Sequence, residues 1–202
     1  MLHSVNNIAI IILAAGSSSR MGRPKQLLSW GKSDLIGNAI EQAKNSRSDK
    51  IIVVLGANAQ LIKDKISRWE VDFVENENWK SGLGSSLAKG VKHLIELETF
   101  DGILVMLADQ PFIDSDYLNL LIESFYTTPY SIIATAYSKR AGVPALFDKK
   151  FFTDLCDLHE DNGAKLIIEE NRGEVLSLDP GKKVTDIDTE VDYKNLTKRL
   201  NE

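Results

Sequence analysis

Three cations fall within six positions just after an apolar run. Ile8–Leu13 leads into Ala14, Ala15, Gly16, Ser17, Ser18 and Ser19, and then come Arg20, Arg23 and Lys25. A turn leaving a strand needs a glycine or two, not that much charge. Small residues let successive backbone N–H groups form a concave anion nest. Gly16 permits close approach by a ligand, and the hydroxyls of Ser17 and Ser18 add donors. Arg20 can grip phosphate oxygens through two N–H groups, while Lys25 supplies a mobile point charge. This chemistry suits a polyphosphate. Neither the G-x-x-x-x-G-K-[ST] of a P-loop nor the G-x-G-x-x-G of a dinucleotide fold is present. On these residues alone a basic surface loop stays open as the alternative.

Carboxylates come next. Asp109, in "MLADQP", follows an apolar strand at its carboxyl end. There it could hold Mg2+, which takes one or two carboxylates plus phosphate oxygens and water, or cap the next turn. "VTDIDTE" offers Asp186 and Asp188 after a short apolar strand, predicted at Val184–Ile187, and alternation puts both on one face. The alternative is that Asp188 caps the last helix. In "ENENWKSGLGSSLAKGV", Gly82 and Gly84 allow a tight turn, and Ser85 and Ser86 stand where free N–H groups favour a polar ligand. Asn78 and Trp79 could present an amide and a ring. Gly56 opens a further loop at a strand end. His3, His93 and His159 show no ligand spacing and read as incidental. Cys156, among Phe151, Phe152 and Leu155, reads as a small core residue.

The elements that must position these loops follow from hydrophobic pattern. Strands are predicted at Ile8–Leu13, Lys50–Leu55, Val71–Val74, Gly102–Ala108 and Ser131–Tyr137, with shorter ones at Val143–Phe147, Val175–Leu178 and Val184–Ile187. Several are apolar at consecutive positions, as strands buried on both faces are. Helices are predicted at Ser33–Ala43, Asn58–Trp69, Ser85–Leu97, Asp114–Phe125, Gly163–Glu170 and Val191–Leu200. Alternating strand and helix predict a three-layer α/β/α fold with a mostly parallel, Rossmann-like sheet. In such sheets ligands bind beyond the carboxyl ends of the strands, which is where the loops above lie.

The chain has 202 residues, 43% of them hydrophobic and 26% charged. That suits one soluble globular domain over 1–202. A net charge of -5 argues against a general nucleic-acid binder. A single cysteine excludes an intrachain disulfide and argues against a structural zinc site. No apolar run approaches the roughly 20 residues of a membrane span, and no signal-peptide pattern opens the chain, so a cytoplasmic location away from membranes is expected.

Together these loops resemble one family. "LAAGSSSRMGRPK" is similar to the signature of nucleotidyltransferases with a glycosyltransferase-A-like Rossmann fold. "NENWKSGLGSSLAKGV", "LADQP", "GVPALF", "EDNGAKLI" and "DIDTEVDY" follow in the order seen in the molybdenum cofactor cytidylyltransferase group of the MobA-like nucleotidyltransferases. The resemblance spans about Ile8 to Asn195. It implies that an acceptor phosphate attacks the α-phosphorus of a nucleoside triphosphate and pyrophosphate leaves, with Mg2+ as cofactor. Arg20, Lys25 and Asp109 would then be catalytic. Leu13, Ala14, Ala15, Gly16, Ser17, Ser18, Arg20, Lys25, Gly56, Ser85 and Ser86 would bind nucleotide. Asp109 and Asp188 would hold the metal.

Residues up to about 110 would form the nucleotide half and 111–202 the acceptor half. Ala15, where guanylyl-transferring relatives read the first glycine of L-A-G-G, tilts the base towards cytidine, so CTP is favoured over GTP. The implied acceptor is molybdopterin or molybdenum cofactor, with a molybdoenzyme or its maturation factor downstream. Two motifs depart from the group. Val143 replaces a common histidine, and Glu160-Asp161-Asn162-Gly163-Ala164-Lys165 replaces G-D-x-G-A-R. Both are expected to face the acceptor, so a sugar- or polyol-phosphate acceptor stays open. A non-catalytic cofactor chaperone is the reading from another class.

Overall fold

The computed structural model describes residues 7–138, 140–159 and 161–200; His3 and Glu160 lie outside them. Its centre is β1, Ile8–Ala14, with all seven residues buried. Ile8, Ile10, Ile12 and Ala14 join one core, and Ala9, Ile11 and Leu13 the other. A period of two on an entirely apolar strand thus feeds two cores at once, which makes three layers.

Around β1 the chain adds the hairpin β2 (Ser29–Trp30) and β3 (Ser33–Asp34), α1 (Leu35–Lys44), β4 (Lys50–Leu55), α2 (Ala59–Ile66) and β5 (Asp72–Glu75). α3 (Leu83–Leu97), β6 (Gly102–Leu107), α4 (Ser115–Thr127), β7 (Ile132–Tyr137) and β8 (Arg140–Asp148) follow. Last come α5 (Phe152–Cys156), α6 (Lys165–Glu170), β9 (Val175–Leu178) and α7 (Glu190–Leu200). The seven-stranded sheet has the order β5-β4-β1-β6-β8-β7-β9. Only β8 runs against its neighbours. The expected mostly parallel, three-layer α/β fold is what forms.

Helices α1, α2 and α4 cover one face through Ile36, Ile40, Ile62, Leu118 and Leu121. α3, α5 and α6 cover the other through Leu87, Val91, Leu155 and Ile167. A Cβ at Gly90 would lie 2.8 Å from Val54 Cγ2, so glycine sets how closely α3 packs on the sheet. Parallel pairing aligns Ala14 with Leu55 and Leu13 with Leu107. The loops after β1, β4 and β6 therefore open at one edge.

Several boundaries differ from the sequence reading. Ser33 is not a helix cap. It pairs in β3, and the Asp34 side chain accepts from Gly37 N at 2.7 Å. α3 starts at Leu83, so Ser85 and Ser86 lie inside its first turn. The segment predicted as a strand at Val184–Ile187 is irregular chain. Its hold on the molecule is not a ladder. Ile187 N donates to Asp109 O at 3.1 Å, and the Ile187 side chain is buried with Met21, Leu28, Trp30, Leu35 and Leu196. Strand alternation therefore does not apply, and Asp186 and Asp188 line different cavities.

Candidate active site

β1 ends at Ala14, and the chain then folds back on itself. Gln26, 3% exposed, donates from Nε2 to Ala14 O at 3.0 Å and Gly16 O at 2.9 Å. Ser18 adopts φ 55, a left-handed conformation uncommon for a residue with a side chain. It is held by two bonds. Its hydroxyl donates to Gln26 Oε1 at 3.3 Å and accepts from Lys25 N at 3.0 Å. Gln26 had no role in the sequence reading. A buried glutamine inside a polar loop gives no periodic signal.

The loop delivers Lys25 to two carboxylates. Its Nζ donates to Asp109 Oδ2 and, at 3.0 Å, to Asp188 Oδ1. Arg20 lies 3.4 Å from the other oxygen of Asp188. The Lys25 and Asp109 side chains are only 17% and 15% exposed. Burial works to lower the Lys25 pKa, but Asp109 and Asp188 outweigh it, so the ammonium is held above its ordinary value. Burial pushes the Asp109 carboxyl up, Lys25 opposes that, and Asp186 adds to it. A buried ion pair often does no better for stability than an apolar pair of the same volume. Its presence at a strand end points to use rather than stability.

Asp109 Oδ1 is buried and has no hydrogen-bond partner. That orphaned oxygen, with Asp188 across Lys25, fits a hard divalent cation. Among the described residues no three His, Cys, Asp or Glu side chains gather into a cage. Two carboxylates leave the remaining positions to phosphate oxygens and water, as Mg2+ prefers.

Three adjoining cavities open here. The first, about 160 Å³, is lined by Gly16, Ser18, Ser19, Arg20, Lys25 and Asp188. The second, about 310 Å³, is lined by Ala15, Gly16, Ser17, Trp79, Gly82 and Ser86, among others. The third, about 200 Å³, includes Leu13, Leu83, Gln110, Tyr137, Val143 and Asp186. Gly16 joins the first two, and Leu83 the second and third.

The structure therefore gathers Ala15, Gly16, Ser17, Ser18, Arg20, Lys25, Ser86, Asp109 and Asp188. Ala14 contributes its carbonyl to the loop's bracing, and Leu13 faces the third cavity. Gly56 packs behind the site. A Cβ there would meet Trp79 Cβ at 2.6 Å and Ala15 O at 2.8 Å. Ser85 is turned inward, its hydroxyl bonding Gly82 O at 2.8 Å. Asn76, 5% exposed and also missed by the sequence reading, donates to both Ser85 and Ser86 at 3.0 Å.

A small-residue turn carrying Arg20 and Lys25 after the first strand, a lysine between two carboxylates and adjoining cavities along the strand ends match the layout expected of a nucleotide-using α/β enzyme. The family is specific: residues 10–175 match the MobA-like NTP transferase domain, and the chain belongs to that family. It is 34% identical to nicotine blue oxidoreductase of Paenarthrobacter nicotinovorans over 68% of this chain and 69% of that protein. It is 28% identical to purine catabolism protein PucB of Bacillus subtilis, over 91% and 92%. Among solved structures, Rv0371c of Mycobacterium tuberculosis superposes with a TM-score of 0.82 at 30% identity, covering 96% of this chain and 98% of that one. A structure of Rv0371c in complex with manganese gives 0.77 at 28% identity, covering 96% and 99%. No helix among the described residues is long and apolar enough to cross a membrane.

Proposed function

We propose that the chain is a Mg2+-dependent cytidylyltransferase that moves CMP from CTP onto molybdopterin or molybdenum cofactor, in the cytoplasm. The observation that carries this reading is Lys25 standing between Asp109 and Asp188 beside the orphaned Asp109 Oδ1. Residues up to about 110 supply most of the nucleotide half, and the rest the acceptor half.

Loop N–H groups and Arg20 would hold the triphosphate. Lys25 would leave the carboxylates for the α-phosphate, where charge accumulates as the new P–O bond forms and the bond to the β-phosphate oxygen breaks. Asp109 and Asp188 would hold the Mg2+, which supplies charge neutralisation on the phosphate oxygens. The electron pair and negative charge of the broken bond depart with pyrophosphate. The attacking phosphate is already anionic, so no base has to remove a proton. What remains for the protein is in-line positioning and preorganised charge.

The test is pyrophosphate release with Mg2+ and each of the four common nucleoside triphosphates, with and without molybdopterin. Release with CTP that depends on molybdopterin is expected. Release only with a sugar or polyol phosphate would replace the acceptor. No release with any acceptor from folded protein would leave a binding role.

A further inference from the structure

The third cavity holds a carboxylate that the transfer chemistry does not use. Asp186 lines it, and Asp186 Oδ1 accepts from Gln110 Nε2 at 2.8 Å. The same Nε2 donates to Tyr137 Oη at 3.0 Å, and that hydroxyl donates to Val143 O. The chain of donors fixes the orientation of the Gln110 amide, whose Oε1 is left buried without a partner. Tyr137 spends its proton on a carbonyl, so it can only accept from Gln110. Both hydrogens of the Gln110 amide are then used, and a flip would set its oxygen against a carboxylate. Gln110 is 3% exposed, so this bracing is buried, whereas Asp186 itself is exposed.

None of the ion pairs among the described residues includes Asp186. Its second oxygen carries no hydrogen bond among them. An oriented carboxylate outside any ion pair among the described residues thus stands in a cavity whose wall combines Leu13, Leu83, Leu87, Val105 and Leu107 with the charged Arg140, Asp161 and Lys165. At about 200 Å³ the space falls below the roughly 300–1,000 Å³ of drug-sized ligand pockets, and it suits a small group rather than a whole large ligand.

We propose that Asp186, oriented by Gln110, determines acceptor specificity by accepting two hydrogen bonds from the N–H edge of a planar heterocycle, a ring N–H beside an exocyclic amine. This rests on the proposed transfer reaction and assigns its acceptor to the third cavity, which Val143, Asp161 and Lys165 of the acceptor half line. A carboxylate matches such an edge with two parallel bonds. It rejects a ring that presents a carbonyl in place of the amine, because two acceptors then face each other. Gln110 is a positioning residue, since it acts through Asp186.

The test uses two fluorescent probes, pterin (2-aminopteridin-4-one) and lumazine (pteridine-2,4-dione). They differ at that edge and are titrated into the full chain with Mg2+ and CTP. Wild-type protein is expected to bind pterin roughly tenfold more tightly than lumazine. Asp186→Asn should bring the ratio to within about twofold while leaving CTP and Mn2+ affinities unchanged. Gln110→Met, which removes the tether but keeps the carboxylate, should fall between. A wild-type ratio near one overturns the proposal without any variant. A loss of Mn2+ binding in Asp186→Asn as large as in Asp188→Asn also overturns it, by making Asp186 a metal carboxylate. Discrimination between the probes without CTP binding would uphold Asp186 and overturn nucleotidyl transfer.

Discussion

The loop after β1 and the cavity beside β8 are assembled in opposite ways. The loop braces itself over short distances, Gln26 on Ala14 and Gly16, and Ser18 on Lys25. Its cations reach out, Lys25 to Asp109 and Asp188, Arg20 to Asp188 and Arg23 to Glu190. The cavity has no such local scaffold. It takes Leu13, Leu83, Val105, Gln110, Tyr137 and Asp186 from distant stretches, and the Gln110 amide joins two of them. A self-braced loop can keep its shape while the cavity changes its lining. Val143 lines the cavity and takes part in none of the loop's bracing bonds, so a change there leaves the loop as it is.

Asp109→Asn strikes the loop's destination and should have the largest effect. It keeps the shape but removes the charge, and the pyrophosphate-release rate should fall roughly 10²–10³-fold in protein with an unchanged circular-dichroism spectrum. A rate within threefold of wild type would mean that the loop's bracing serves something other than phosphate transfer. Gly56→Val tests whether the loop depends on what lies behind it. The new methyl groups would press on Trp79 and Ala15. Overpacking of this kind costs about 1–3 kcal/mol, so a lower midpoint in urea and a higher KM for the triphosphate are expected together.

Tyr137→Phe sharpens the other half. It leaves Val143 O and one Gln110 hydrogen without their partner, at a cost of about 1–2 kcal/mol. KM for the acceptor should rise several-fold while KM for the triphosphate stays put. A rise in both would mean that the two regions are not separable. The same residue gives a pH signature. Burial pushes the Tyr137 phenol up to about 12 from its ordinary 10.0. The folded state then holds that proton more tightly than the unfolded chain does. Its stabilising contribution is complete below pH 10 and is lost as pH rises towards 12, and Tyr137→Phe should lack that loss. Asp34→Ala, at a residue that lines none of the three cavities, removes the cap of α1 and should cost about 1 kcal/mol with kcat and both KM values unchanged.

What could be read from sequence divides by residue type rather than by region. β1 was legible because seven consecutive apolar residues admit few arrangements other than a central strand. Lys25 and Asp109 were legible because charge next to a strand end is conspicuous. Gln26, Asn76 and Gln110 were not, since a glutamine or asparagine in a loop looks the same whether it braces backbone or faces water. Val184–Ile187 misled for a related reason. Polar and apolar residues alternate over Asp186, Ile187 and Asp188 at its end, but Ile187 is buried against Met21, Trp30 and Leu196 rather than against a sheet. Period two recorded one residue pointing in between two pointing out, with no ladder behind it.

Ile187 also couples the two regions. Its side chain is wholly buried, and its neighbours on either side line two different cavities. A single peg thus sets the pitch of two arms. Shortening it, as in Ile187→Ala, would let Asp186 and Asp188 drift together, so the two ends of the crevice cannot be retuned one at a time through this segment. In engineering terms the residue is a common datum, and variation meant to change one cavity has to be made in Gln110, Tyr137 or Val143 instead.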